Sequence, residues 1–181
     1  REGNGSFLHK EFRDCFMELS PFEINGNVCS STSIRNYIKQ GQVICANKML
    51  GRNYQIRGVV VRGAQRGRLL GFPTININLN EIIKPKLGVY LGRVLIDQEE
   101  NWLYGVINIG MRPTFNDVIS PLLEMYIFDF DDIVYDKHVK IELIQFIRGE
   151  KKFDNILDIK SQIEMDVECA KNMIKNNADL F

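Results

Sequence analysis

The sequence holds no run of about 18 apolar residues, so no helical membrane span is expected. Its opening, REGNGSFLHKEF, lacks the apolar core of a secretory leader. Histidine is scarce, with only His9 and His138, and the four cysteines (Cys15, Cys29, Cys45, Cys169) fall in no CxxC spacing. A zinc site is therefore not expected, and the cysteines read as reduced thiols of a cytoplasmic protein. Lys and Arg number 23 and Asp and Glu number 23, so no net field draws the chain to nucleic acid or a membrane surface. Neither GxxxxGK[ST] nor GxGxxG occurs, which excludes the two commonest phosphate-binding loops. The chain begins with Arg rather than Met, as a piece of a longer protein would.

What is present changes character near Gly51. Before it the pattern is α/β. Phe7, Leu8 and Phe12 suggest a short helix, Cys15 to Leu19 a strand, and Asn25-Gly26 a turn. Ser31 or Thr32 can cap a helix whose stripe is Ile34, Tyr37 and Ile38, closed by Gly41. A second short helix carries Val43, Ala46 and Leu50. After Gly51, residues 54–62, 88–97, 101–109, 122–130 and 138–147 are β-branched with partial alternation, and their links are too short for crossover helices. Five or six such strands predict a small closed antiparallel barrel. Residues 153–176 switch to helical period, with Phe153, Ile156, Ile163, Val167, Ala170 and Ile174 on one stripe.

One stretch carries chemistry. In GAQRGRLLGFPTIN (63–76), Gly63, Gly67 and Gly71 stand four residues apart, with Arg66 and Arg68 among them. Residues 51–80 hold five arginines and no acid. Bare N–H groups and positive charge suit a phosphate-rich ligand. The same composition also suits a solvated hairpin loop or an RNA contact. Thr74 and Asn76, two apart on an extended segment, put a hydroxyl and an amide carbonyl on one side, where they can join phosphate oxygens around Mg²⁺ or bond their own backbone. Glu124 shares a strand face with Tyr126 and Phe128, a costly place for a carboxylate without a partner or a task.

GAQRGRLLGFPTIN, with the strand RGVVVR before it, resembles the signature of riboflavin kinase. The likeness continues through GVYLGRV, GVINIGMRPTF, LEMYIFDFDDIVYDKHVKIELIQFIR and KKFDNILDIKSQIEMDV, so it spans 52–175. It implies a mainly β fold with α: a six-stranded antiparallel Greek-key-like barrel plus a C-terminal helix over 52–181. It further implies ATP:riboflavin phosphotransfer, giving FMN and ADP with Mg²⁺ and no tightly bound prosthetic group. On that resemblance Gly63, Gly67, Arg68 and Gly71 hold the ATP phosphates, Thr74 and Asn76 hold Mg²⁺, and Glu124 takes the proton of the ribityl 5′-hydroxyl. Arg112, in a loop after a strand, is a candidate near the substrates. Ile75 stands where the family usually has Ala.

A second resemblance lies in CSSTSIR (29–35), which is similar to a motif near the end of the adenylyltransferase domain of bacterial FAD synthetases. It implies that residues 1–51 are the C-terminal remnant of a nucleotidyltransferase domain, with Ser31, Thr32 and Arg35 as the remaining triphosphate contacts. The histidine motif of such domains is absent; His9, in LHKEF, does not fit it. The parent protein is then expected to make FAD as well, and this chain alone is not. The alternatives are an inactive fragment and a small-barrel RNA-binding module.

Overall fold

Backbone pairing explains most of the architecture. The computed structural model describes residues 4–24, 26–79, 83–97, 99–113, 119–153 and 155–176. They fall into two compact units, one running to Ser30 and one beginning at Ser31.

In the first unit, helix α1 (Gly5–Phe12) is capped by Asn4, whose side-chain oxygen accepts from the Phe7 N–H at 2.9 Å. The strand expected at Cys15–Leu19 is not there. A tight helical turn at Arg13–Cys15 is followed by irregular chain, and the unit's pairing is a hairpin of two-residue strands, β1 (Glu23–Ile24) and β2 (Asn27–Val28). A strand needs a neighbour for its N–H and C=O groups, and the hairpin offers none to this segment. Met17 and Leu19 are 81% and 80% exposed. Gly26, with φ +75°, turns the hairpin as expected, while Asn25 lies outside the described residues.

The second unit opens with helices α2 (Ser31–Gln40) and α3 (Val43–Leu50), joined at Gly41 and stopped at a left-handed Gly51. Strands β3 (Tyr54–Val59), β4 (Thr74–Asn78), β5 (Gly88–Ile96), β6 (Leu103–Pro113), β7 (Ile119–Ile127) and β8 (His138–Gly149) then form one antiparallel sheet in the order β3-β8-β5-β6-β7-β4. β5, β6 and β7 form a meander, while β4 joins outside β7 and β8 outside β5, a Greek-key-like path. The sheet curls until its edges meet. Just past β3, the Val61 N–H donates to the Asn76 carbonyl at 2.8 Å. Gly58 makes room for this approach, since a Cβ there would stand 2.5 Å from Ile77 Cγ2.

Alternation along the strands gives the barrel an inside and an outside. Ile75, Ile77, Ile107, Ile109, Leu123 and Met125 are buried inside it. Outside, Val89, Leu91, Val106 and Ile144 pack beneath helix α5 (Ile156–Asn176) through Ala170, Val167, Met173 and Ile174. Two details of that helix differ from expectation. Phe153 precedes it and Ile156 is exposed, because the helix starts late, after Asn155 accepts from the Asp158 N–H. The acid Asp166 is buried on the packed side, because its two oxygens take Nε and Nη2 of Arg148 at 2.8 and 2.7 Å.

The sequence suggests a boundary at Gly51–Arg52, but α2 and α3 pack with the barrel. Val43 belongs to the barrel core, and Ile38 and Ala46 are fully buried. Asn47 Nδ2 donates to the Leu143 carbonyl and to Asn53 Oδ1, each at 2.9 Å. Asn53 in turn donates to Glu142, which also accepts from Gln55 and Arg93. Burial pushes the Glu142 carboxyl up, but the hydrogen bonds from Asn53, Gln55 and Arg93 and the Arg93 charge outweigh it, so its pKa lies below the ordinary value.

Two outcomes are expected. Starting the chain at Arg52 should cost several kcal/mol, since burying each of Ile38 and Val43 is worth roughly 1.5–3 kcal/mol; thermal melting of the truncated and full chains checks it. The stabilisation from Glu142 should be fully present above the unfolded carboxylate pKa of about 4.3 and fade as pH falls through its lower folded value. An Arg93→Met variant should lose about 3 kcal/mol and move its acid unfolding to higher pH, as read by urea titrations between pH 3 and 7.

Candidate active site

The register of three strands builds the site. Asn76 of β4 pairs with Glu124 of β7, and Glu124 pairs with Asn108 of β6. Thr74 pairs with Tyr126. Directly opposed residues of antiparallel strands share a face, so Thr74, Asn76, Glu124, Tyr126 and Asn108 stand together on the outside of the barrel. Glu124 does share its face with Tyr126 and Phe128, whose rings lie 6.0 Å apart.

The glycine-rich segment folds over this row. A Cβ on Gly63 would fall 2.4 Å from Asn76 Oδ1, and one on Gly67 would fall 2.4 Å from the Phe72 carbonyl. Both glycines are there for space. Gly71 is there for conformation, with φ +87° and nothing near its missing side chain. Between them the chain makes a four-residue helical turn, α4 (Arg66–Leu69), preceded by Gln65 in the left-handed region. Arg66 and Arg68 are exposed. The Phe72 ring meets Tyr126 edge-on at 5.2 Å, which ties the end of the segment to β7.

The Asn76 amide is the telling group. It is 3% exposed, and its Nδ2 donates to the Thr74 carbonyl at 3.3 Å. Its Oδ1 is buried and accepts from no described residue. A buried carbonyl oxygen without a donor is costly and suits a hard cation, which takes neutral and anionic oxygens alike. Thr74, two residues earlier on the same face, adds a hydroxyl. No cluster of three His, Cys, Asp or Glu exists among the described residues, so a metal here would depend on oxygens brought by a ligand. That is the habit of Mg²⁺ with phosphates, and the donor set fits it. Beside Thr74 a cavity of about 80 Å³ opens between Gln65 and Arg68 on one side and Phe130, Asp131 and Tyr135 on the other.

Other sequence candidates fall elsewhere. Arg112 lies within β6, paired with Ser120, and not in a loop, because the β6–β7 ladder runs on to Pro113 and Ile119. Thr114 and Phe115 lie outside the described residues. Ser31, Thr32 and Arg35 are exposed in the first turns of α2, where Arg35 Nη2 donates to Thr32 Oγ1 at 3.4 Å. Asn108 was not singled out by sequence. Its signal, an amide in the strand GVINIG, becomes legible only through the register.

Comparison with known proteins agrees with this fold. The flavokinase (riboflavin kinase) family matches residues 50–174. A bifunctional riboflavin kinase/FMN adenylyltransferase of Haemophilus influenzae is 38% identical over 94% of the chain and 56% of its own length. A solved Streptococcus pneumoniae structure described as a macrolide-efflux protein superposes with a TM-score of 0.81 at 32% identity, covering 90% of this chain and 54% of the other. A riboflavin kinase of Trypanosoma brucei gives 0.50 at 26% identity, over 67% of this chain and 76% of its own. The chain spans about half the length of the curated bifunctional relatives it matches. No helix among the described residues is long and apolar enough to cross a membrane. The barrel with its C-terminal helix, the row on its outer face and the family match together make this chain a member of the riboflavin kinase family.

Proposed function

We propose that the chain transfers the γ-phosphoryl group of ATP to the ribityl 5′-hydroxyl of riboflavin, yielding FMN and ADP. The observation that carries this assignment is the donorless Asn76 Oδ1 beside Glu124, under a glycine-rich cover. Thr74 and Asn76 are the residues that would hold Mg²⁺, and the bound ion would supply charge neutralisation at the transferring phosphate. The backbone around Gly63 and Gly67, with Arg68, covers the phosphates. Glu124, one strand away from Asn76, accepts the hydroxyl proton as the new O–P bond forms and the bond to ADP breaks. Its place on the strand orients the hydroxyl for in-line attack. Arg112 is kept as a candidate at the substrate end.

We further propose that residues 1–51 are the tail of a nucleotidyltransferase domain, with Ser31, Thr32 and Arg35 as leftover triphosphate contacts, and that the parent protein acts in the cytoplasm. The names of the bifunctional relatives support this parentage. The chain by itself should not make FAD.

Incubation with riboflavin, ATP and Mg²⁺ should give FMN and no FAD on flavin chromatography; a folded chain that yields no FMN refutes the assignment. Glu124→Gln should slow turnover roughly 10²–10⁴-fold with little loss of substrate binding. A near-normal rate would remove Glu124 as the base. Gly63→Ala should displace the Asn76 amide and raise the Mg²⁺ concentration needed for half-maximal rate, as should Asn76→Ala. An unchanged Mg²⁺ titration in both variants would exclude Asn76 as a ligand.

A further inference from the structure

The row on the outer face does not end at Glu124. Continuing across the sheet it runs Asn76, Glu124, Asn108, Val89, Arg148, each paired with the next. The two ends differ. Asn76 lies under the glycine-rich segment, while Arg148 is tied to Asp166 of α5. Glu124 is thus bracketed by two amides, and they cannot do the same job. The attacking oxygen is already bonded to its carbon and meets the phosphorus from a different direction, so the phosphate and the carbon chain fall to different neighbours of Glu124. If the phosphate lies on the Asn76 side, the carbon chain must leave over Asn108.

Asn108 is suited to meet it. Its side chain is half-buried and has no hydrogen-bond partner among the described residues. Cβ atoms of directly opposed strand residues are about 4.5–5.5 Å apart, so its amide stands close to the carboxylate of Glu124. Next on the same face, Gly110 carries no side chain, and the space it leaves is bordered by Asn108 Nδ2 and Glu150 Oε1, 3.6 and 3.0 Å from where a Cβ would stand. The face immediately beyond the base is therefore bordered by a carboxylate and by an amide that both donates and accepts. A chain of secondary hydroxyls also does both.

We propose that Asn108 is a specificity-determining residue: it hydrogen-bonds a secondary hydroxyl of the alcohol substrate adjacent to the one that reacts, and so selects a polyol side chain over a plain alkanol. This rests on the assignment of Asn76 and Glu124 given above. The contact is with substrate, not with Glu124.

The test pairs two enzymes with two flavins. Riboflavin and a flavin carrying a 5-hydroxypentyl chain, which keeps the terminal hydroxyl and lacks the three secondary ones, are titrated by flavin fluorescence in the presence of Mg²⁺ and ADP. Asn108→Ala should weaken riboflavin roughly five- to tenfold, the worth of one neutral hydrogen bond. It should leave the hydroxypentyl flavin unchanged, and the pH profile of riboflavin turnover should not move. Asn108→Leu, which keeps the volume, should behave alike, and it stands in if the smaller side chain disturbs β6. Equal weakening of both flavins, no weakening of either, or a shifted pH profile would overturn the proposal. A wild-type chain that binds riboflavin but fails to phosphorylate it refutes the catalytic assignment and leaves the binding comparison decisive for Asn108. One that binds neither flavin overturns both.

Discussion

The single hydrogen bond from the Val61 N–H to the Asn76 carbonyl joins the two edges of the sheet. Much else depends on it. Without that bridge, β3 and β4 would be free edges, and the segment between them would be held only through the strands at its ends and the Phe72–Tyr126 contact. With it, the glycine-rich segment is held at both ends and must lie across the outer face of β4. The same residue then serves twice. Its backbone closes the barrel and its side chain presents the donorless oxygen. A ligand held by the Asn76 side chain would therefore also steady the closure made by its backbone.

The outer face has a second fixed wall. The paired oxygens of Asp166 on the Arg148 guanidinium hold α5 against β8, and its apolar side covers Val89, Leu91, Val106 and Ile144. Between the glycine-rich segment and the helix lies the open part of the row. The network of Asn47, Asn53, Glu142 and Arg93 ties α3 to the sheet. None of these residues belongs to the row of Asn76, Glu124 and Asn108. The network and the outer row thereby use different side chains of the same small sheet.

The barrel was legible because alternation is a local property. Each long strand shows it, and the turns between strands carry Gly, Pro, Asn or Asp. Glycine spacing and the Thr74–Asn76 pair were legible for a similar reason, since they lie within fourteen residues. Most of the differences are non-local. Cys15–Leu19 has the composition of a strand but no neighbour to pair with. Asp166 looks like a solvent-facing acid until Arg148, eighteen residues earlier and on another element, is brought beneath it. The proposed boundary at Gly51 follows a change in composition, while Val43 and Ala46 are buried with the barrel unit. Asn108 stayed silent because nothing near it in sequence marks it, and only pairing through Glu124 does.

Placing this row on the outside of a barrel has a consequence for how such a sequence can change. Along β4 and β7, side chains that face outward alternate with side chains that face the core: Thr74, Ile75, Asn76, Ile77 on one strand and Leu123, Glu124, Met125, Tyr126 on the other. A substitution in this stretch alters one face and leaves the other alone. Insertion or deletion of a single residue exchanges the two sets wholesale, turning Asn76 and Glu124 into the core and isoleucines outward. Change along this row is thus open to point replacement, while a change of length within these strands would scramble both faces.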